Sequence, residues 1–357
     1  MKTQTVNSKT HTNHALQTES NDYLEKQLIT YIGNKRALLS FIGEAVHFVK
    51  EKLEKEKLIF FDVFSGSGIV SRYFRQYAQE LYTNDLEDYA KIINKCYLSN
   101  SEDRDIGYLQ STYTDLVKHT TDAENNNSWK KGIISKLYAP KDDKNIQKDE
   151  RVFYTTHNAS YIDTSRAYIS KIPIEAQPFF LAPLLSQASI HANTAGVFKG
   201  FYKNKDTGIG EFGGKNRDAL TRIRGNISIP FPVFSNFDCP VHIVQGDANS
   251  IVKNIPLVDI AYLDPPYNQH PYGSNYFMLN IIANKHMPKN ISKISGIPND
   301  WNRSAYNYKT TSLHAFSELI AHVQARFLLV SFNSEGFISM AKMTELLECH
   351  GKVTIMQ

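Results

Sequence analysis

The chain has 357 residues, with 40 Lys and Arg against 36 Asp and Glu, a formal net charge of +4. That length allows two or three folded units, and the mild basic excess leaves room for an acidic or nucleic-acid partner. No apolar run approaches the roughly 18 residues of a membrane span. The opening MKTQTVNSKTHTNHALQTESND lacks the apolar stretch of a secretory signal. Cys96, Cys239 and Cys349 offer neither a disulfide framework nor a CxxC zinc site. A soluble cytoplasmic enzyme is what remains.

Residues 1–22 read as a disordered tail, polar and without apolar periodicity. Helical spacing then runs through Leu38, Leu39, Ile42, Ala45, Val46, Val49 and Leu53, with Asn34 as the expected N-cap. LIFF at 58–61 suits a strand buried on both faces, as in a parallel sheet. It leads into DVFSGSG (62–68), a helix over about 69–80, and a second strand ending at Asn84 and Asp85. Residues 101–150 are polar and charged, 151–202 mainly helical in pattern, and 203–239 loop-like with short strands. Strand patterns return at VHIVQGD (241–247), VDIAYL (258–263) and RFLLVSF (326–332), and GKVTIMQ reads as the start of one more. The expected architecture is α/β. One doubly wound, Rossmann-like sheet, built from residues 23–100 and 240–357, is interrupted by a mainly helical insert at 101–239.

Chemistry concentrates at three places. Asp62, Phe64, Gly66 and Gly68 form a strand-to-helix turn in which glycine lets backbone approach a ligand, and Asp85 can accept both hydroxyls of a ribose. The turn is GSG, lacking the third glycine of a pyrophosphate site. It therefore favours a nucleoside cofactor without a diphosphate, such as S-adenosylmethionine. An ordinary Gly-rich βα turn is the competing reading. A full GxGxxG at Gly208, Gly210 and Gly213 follows KNKDT instead of a strand, so it reads as a basic loop. The third place is Asp264-Pro265-Pro266-Tyr267 after an apolar strand. Proline has no N–H to donate, so the Pro265 carbonyl is a fixed acceptor beside the Asp264 carboxylate, and Tyr267 offers a stacking face. These groups describe a socket for a planar ring with an exocyclic amine. Two acceptors would draw the nitrogen lone pair out of conjugation and make it a nucleophile.

YIGNK (31–35), DVFSGSG, Asn84-Asp85, QGDA (245–248) and DPPY occur in the order that resembles DNA adenine-N6 methyltransferases of the D12 class, the α-group related to Dam. NTAGVFKGFY (193–202) and SFNSEGF (331–337) are similar to members of the same class. The resemblance spans about residues 28–340. It implies a Rossmann-like S-adenosylmethionine-dependent fold and methyl transfer to N6 of an adenine rotated out of duplex DNA, with a cognate restriction endonuclease as a possible partner. It also implies roles. Tyr31 and Lys35 match the N-terminal cofactor motif, Asp85 the ribose acid, Asp247 the position beside the cofactor's adenine, and Asp264 the catalytic acid, which also lies beside the cofactor.

Direct transfer needs no covalent enzyme intermediate and no metal. The 12 His carry no HExxH motif and no i,i+4 ligand pair. The insert would read the DNA target, with Arg166, Lys199, Lys203, Lys215, Arg217, Arg222 and Arg224 as candidate contacts, most of them to phosphate. Asn158 and Asp163 are compatible with base reading or with pairing on a helix surface. The ending at Gln357, seven residues into an expected hairpin, reads as a degenerate tail or a truncation. Two alternatives stay open: an amino-methyltransferase on RNA adenine, cytosine N4 or a protein amide, and a non-catalytic nucleic-acid-binding relative.

Overall fold

The structure, a computed structural model, describes residues 18–213, 218–332 and 336–356. Five strands, β1 (Leu58–Asp62), β2 (Ala78–Asp85), β3 (Val241–Gln245), β4 (Val258–Leu263) and β5 (Ala325–Val330), form one sheet in the order β3-β2-β1-β4-β5. Every pairing is parallel. The reason is visible in the sequence. All six residues of β4 are buried, as are four of the five in β1, and a strand apolar on both sides must be covered on both sides.

The helices α1 (Asn21–Glu25), α2 (Leu39–Leu53) and α3 (Ile69–Phe74) precede β2, and α4 (Asp88–Tyr97) follows it. Ile42, Val46 and Val49 of α2 and Val70 and Phe74 of α3 pack on Phe60, Leu81, Ile260 and Tyr262. The expected helix over 69–80 is shorter, because a 3-10 turn at Arg75–Tyr77 ends it and β2 begins at Ala78. Asn34 caps less than expected. Among the described residues its side chain accepts from the Arg36 N–H, at 2.9 Å, ahead of a 3-10 turn at Arg36–Leu38.

The inserted segment holds α5 (Ile106–Asn125), α6 (Ile133–Leu137), α7 (Thr156–Ile169), α8 (Pro178–Ile190) and α9 (Leu220–Arg224). A small cluster of its own gathers Val152, Phe212 and Ile223, but most of its apolar residues join the core beside the sheet. Ile162, Leu184 and Leu185 share one cluster with Tyr89, Ile93 and Tyr97 of α4. The cluster also takes in Phe277, Met278 and Leu279, downstream of β4.

Helix α10 (Ala248–Ile251) precedes β4, and α11 (Tyr272–Asn275), α12 (Phe277–Asn284) and α13 (Ser312–His322) separate β4 from β5. Helix α14 (Met340–Glu348) comes last. Phe61, Val63, Ala261 and Leu263 of the sheet meet Phe316, Leu319 and Ile320 of α13 and Met343 of α14. Residues 352–356, expected to begin a strand, are not in the sheet, and β5 pairs only with β4 among the described residues. The tail boundary also shifts. Glu19 is buried, accepting from the Ser235 hydroxyl and the Asn236 N–H, so ordered packing reaches residues assigned to the tail.

Candidate active site

The strand order reverses between β1 and β4, and a crevice opens at their carboxyl ends, where open α/β sheets bind ligands. Beside it lies the turn after β1, of which Phe64 lines the crevice. Gly66 and Gly68 have φ of +50° and +76°, left-handed values that favour glycine. The Gly66 N–H donates to Asp85 Oδ2 at 2.7 Å, and the Glu87 N–H donates to Asp85 Oδ1 at 2.9 Å. Burial pushes the Asp85 carboxyl up, and these N–H groups oppose the shift. The Asn84 amide donates to the carbonyls of Val63 (3.1 Å) and Gly246 (3.2 Å), lacing the end of β2 to the chain just past β1 and β3.

Aromatic rings make the walls. Tyr31 stacks on Tyr272 at 5.0 Å and on Tyr276 at 4.8 Å. It leans over the glycine turn so closely that a Cβ on Gly66 would come within 2.8 Å of its ring. Phe64 meets Tyr306 edge-on at 5.3 Å. Asp247 is exposed and caps α10 by accepting from the Ser250 N–H. The cleft between these groups is open to solvent and is lined by aromatic rings and carboxylates, the mixed lining of a small-ligand site.

Asp264 follows the last residue of β4 and lines the same cavity. Lys35 Nζ lies 2.7 Å from Asp264 Oδ2 and 3.0 Å from the Gly33 carbonyl. The Tyr267 hydroxyl sits against Asp264 Oδ1 and 2.8 Å from the Ser331 carbonyl. Burial pushes the Asp264 carboxyl up, and the Lys35 ammonium is the strongest influence pulling it back. Both carboxylate oxygens are thus engaged, one by Lys35 and one by Tyr267.

Of the residues expected to act, Tyr31, Phe64, Asp85, Asp247, Asp264 and Pro266 line the cavity. Lys35 reaches it through Asp264, whereas Gly66, Gly68 and Tyr267 stand next to lining residues without lining it themselves. Pro265 is buried beside it. Asp62 departs from expectation. It does not line the cavity but lies fully buried, accepting from the Ser71 hydroxyl at 2.6 Å. Burial pushes its carboxyl to about 7. Asp62 therefore ties α3 to β1.

Among the candidate DNA contacts, Arg166 is buried and donates to the Ile282 and Ala283 carbonyls at 2.8 and 2.9 Å. It clamps the last turn of α12, where a cation is favoured by the exposed carbonyls, and does not face solvent. Arg222 likewise donates to the Ala192 and Thr194 carbonyls. Asn158 and Asp163 turn inward too. Asn158 holds the 223–227 segment, and Asp163 accepts from the N–H groups of Gly132, Ile134 and Ser135. Lys199 is exposed, 3.1 Å from His270 just past DPPY, and Lys203 is exposed over Phe201. Lys215 and Arg217 lie outside the described residues, as do 333–335 of SFNSEGF. The Gly208–Gly213 loop holds an antiparallel bridge, Lys203 to Gly210.

Several lining residues escaped the sequence reading: Glu87, Tyr272, Gly273, Asn302, Ser304, Tyr306 and Asn307. Glu87 was within reach, as a second acid two positions beyond Asp85. The 302–307 segment carries no motif, and only the path of the chain brings it to the cavity. Among the described residues no group of three or more His, Cys, Asp or Glu is placed to hold a metal. No described helix is long and apolar enough to cross a membrane.

The family model for D12 class N6 adenine-specific DNA methyltransferase matches residues 31–333. The chain is 29% identical over 338 residues to the type II methyltransferase M.NlaIII of Neisseria lactamica, covering 92% of this chain and 90% of that one. It is 28% identical over 336 residues to the type II methyltransferase M.CviAII of Paramecium bursaria Chlorella virus 1, with the same two coverages, 92% and 90%. It is 27% identical to the type II methyltransferase M.FokI of Planomicrobium okeanokoites, but spans only 47% of that longer protein. No solved structure matches the chain.

Proposed function

The chain belongs to the D12 class of N6 adenine-specific DNA methyltransferases, and from that membership we propose how its own residues carry the reaction. The donor is S-adenosylmethionine, the acceptor is an adenine rotated out of duplex DNA, and the biological setting is the modification half of a type II restriction–modification pair. The relatives M.NlaIII and M.CviAII, matched over 90% of their length, support that setting by their names.

The observation that carries the reading is the position of Asp264. It lines the same cavity as Asp85, and it leads the DPPY segment. Donor and acceptor sites thus share one wall, and positioning of two reactants accounts for most of the expected acceleration. The residues present fit the cofactor. Asp85 and Glu87 provide acceptors for sugar hydroxyls, Phe64 and Tyr306 an apolar slot for a base, and Tyr31 a lid over the glycine turn. When bound, the cofactor supplies an electrophilic methyl group.

Asp264 and the Pro265 carbonyl accept from the target amine. Tyr267 leaves Asp264 and stacks on the flipped base, an arrangement that costs the DNA a few kcal/mol of unstacking. Lys35 keeps the Asp264 carboxylate ionised. The exposed Lys199 and Lys203 contact the phosphate backbone beside the target.

Incubation with tritiated S-adenosylmethionine and unmethylated genomic DNA, then nucleoside chromatography, tests the reading. Label in N6-methyladenine, lost in Asp264→Ala, is expected. Label in N4-methylcytosine would overturn the substrate, and undiminished label in the variant would overturn the role of DPPY.

A further inference from the structure

Two stretches far apart in the chain fold into the same tight hairpin. Residues 204–209 read NKDTGI and residues 292–297 read SKISGI. In each, the N–H of the first residue donates to the carbonyl of the closing isoleucine, Asn204 to Ile209 and Ser292 to Ile297, both at 2.8 Å. The glycine N–H donates back to the first residue's carbonyl, at 2.9 Å for Gly208 and 3.0 Å for Gly296. Both glycines are left-handed, with φ of +69° and +70°, a conformation that glycine adopts freely and that closes short hairpin loops. Antiparallel bridges, Lys203 to Gly210 and Ile291 to Pro298, extend the two turns. The second position of each turn is an exposed lysine, Lys205 or Lys293. One acid, Asp206, shares the first tip, KDTG, and the second, KISG, has none. The ion pairs of the described residues use other lysines: Lys26, Lys35, Lys50, Lys55, Lys253 and Lys342.

The two hairpins are neighbours. Arg151 donates to the Ser292 and Lys293 carbonyls at 3.3 and 3.2 Å, and a Cβ on Gly296 would come within 2.8 Å of its Nε. The next residue, Val152, packs directly on Gly210 of the other hairpin. Two consecutive residues, about 3.8 Å apart at Cα, thus seat both. Each hairpin also continues to the active-site cleft. Ahead of the first, Lys199 stands 3.1 Å from His270, just past DPPY. After the second come Asn302 and Ser304, which line the cavity. We propose that the 291–298 hairpin, which lies outside the inserted segment, joins the 203–210 hairpin as a pair of basic prongs that hold the phosphate backbone of duplex DNA beside the cleft. The inference rests on the DNA reading above and extends DNA holding beyond the insert. Ammonium groups on short, hydrogen-bonded turns suit phosphate, a contact that sets the register of the duplex without reading its sequence. Neutralising a phosphate releases counterions, so each prong leaves its own signature in the salt dependence of binding.

The test is fluorescence anisotropy of a labelled, unmethylated DNA duplex titrated with the full chain between about 50 and 200 mM salt. The variants are Lys205→Gln, Lys293→Gln and the two combined. Ile294→Ser is an uncharged change at the second tip, where Ile294 is 66% exposed. Each single lysine variant should lower the slope of log affinity against log salt by about 0.9 and weaken binding roughly 5- to 10-fold near 0.1 M salt. The combined variant should lower the slope by about 1.8, and Ile294→Ser should keep the wild-type slope. A wild-type slope in Lys293→Gln would overturn the proposal, because the second hairpin would then carry no phosphate contact. So would a slope loss in Ile294→Ser equal to that of Lys293→Gln, since the shape of the tip and not its charge would then be at work. A wild type that binds no duplex at any of these salt concentrations would overturn the DNA reading itself, and this inference with it.

Discussion

Replacing Gly66 with Ala tests whether the glycine turn and the Tyr31 lid form one unit. The residue has φ +50°, and an added methyl meets Tyr31 Cε1 and the Tyr31 hydroxyl at 2.8 Å each. A non-glycine residue in the left-handed region costs about 1–2 kcal/mol. Tyr31 must also retreat, loosening its stacks on Tyr272 and Tyr276, each worth about 0.5–1.5 kcal/mol beyond area burial. The sum is roughly 2–5 kcal/mol of stability if both stacks are lost, read from urea midpoints. Cofactor affinity falls as well, because Tyr31 lines the cavity. A double-mutant cycle separates the two contributions. In a Tyr31→Ala background the clash is gone, and Gly66→Ala should cost only the backbone contribution of about 1–2 kcal/mol. A cost for Gly66→Ala equal in both backgrounds would refute the coupling, and wild-type cofactor binding by Gly66→Ala would refute the placement of Tyr31.

Three further outcomes are expected. Lys35→Met removes the ammonium 2.7 Å from Asp264, so the Asp264 carboxyl rises and the acid limb of the activity profile moves to higher pH; an unmoved limb would show that Lys35 does not hold Asp264 ionised. Asp62 is raised from 3.8 to about 7, so the folded state favours its neutral form and the associated stability is lost as pH rises through 7. Between pH 5 and pH 7 the wild type should lose about 2–3 kcal/mol relative to Asp62→Asn, at 1.36 kcal/mol per pH unit, and parallel pH–stability curves would contradict this. Arg166→Ala removes two charge-assisted hydrogen bonds to α12 and should cost about 3 kcal/mol or more, with the salt dependence of DNA binding unchanged. A shallower salt slope in folded variant protein would restore Arg166 as a phosphate contact.

The sequence alone determined the sheet and its chemistry, because both are written in short-range pattern. Doubly buried strands need continuous apolar runs, and LIFF and VDIAYL are such runs. The GSG turn, Asn84-Asp85 and DPPY mark the carboxyl ends of strands that the fold must bring together. Tertiary structure decided whatever depends on which way a polar side chain points. Arg166, Asn158 and Asp163 look like surface contacts in a helix of mixed pattern, yet all three face inward onto backbone groups that lie far away in sequence. Asp62 belongs to the cofactor motif by position but is spent on Ser71. Glu87, Asn280 and Asn302 meet although 193 and 215 residues separate the amides from the acid. No local periodicity records such a meeting, because a hydrogen bond between distant segments leaves no spacing in the chain.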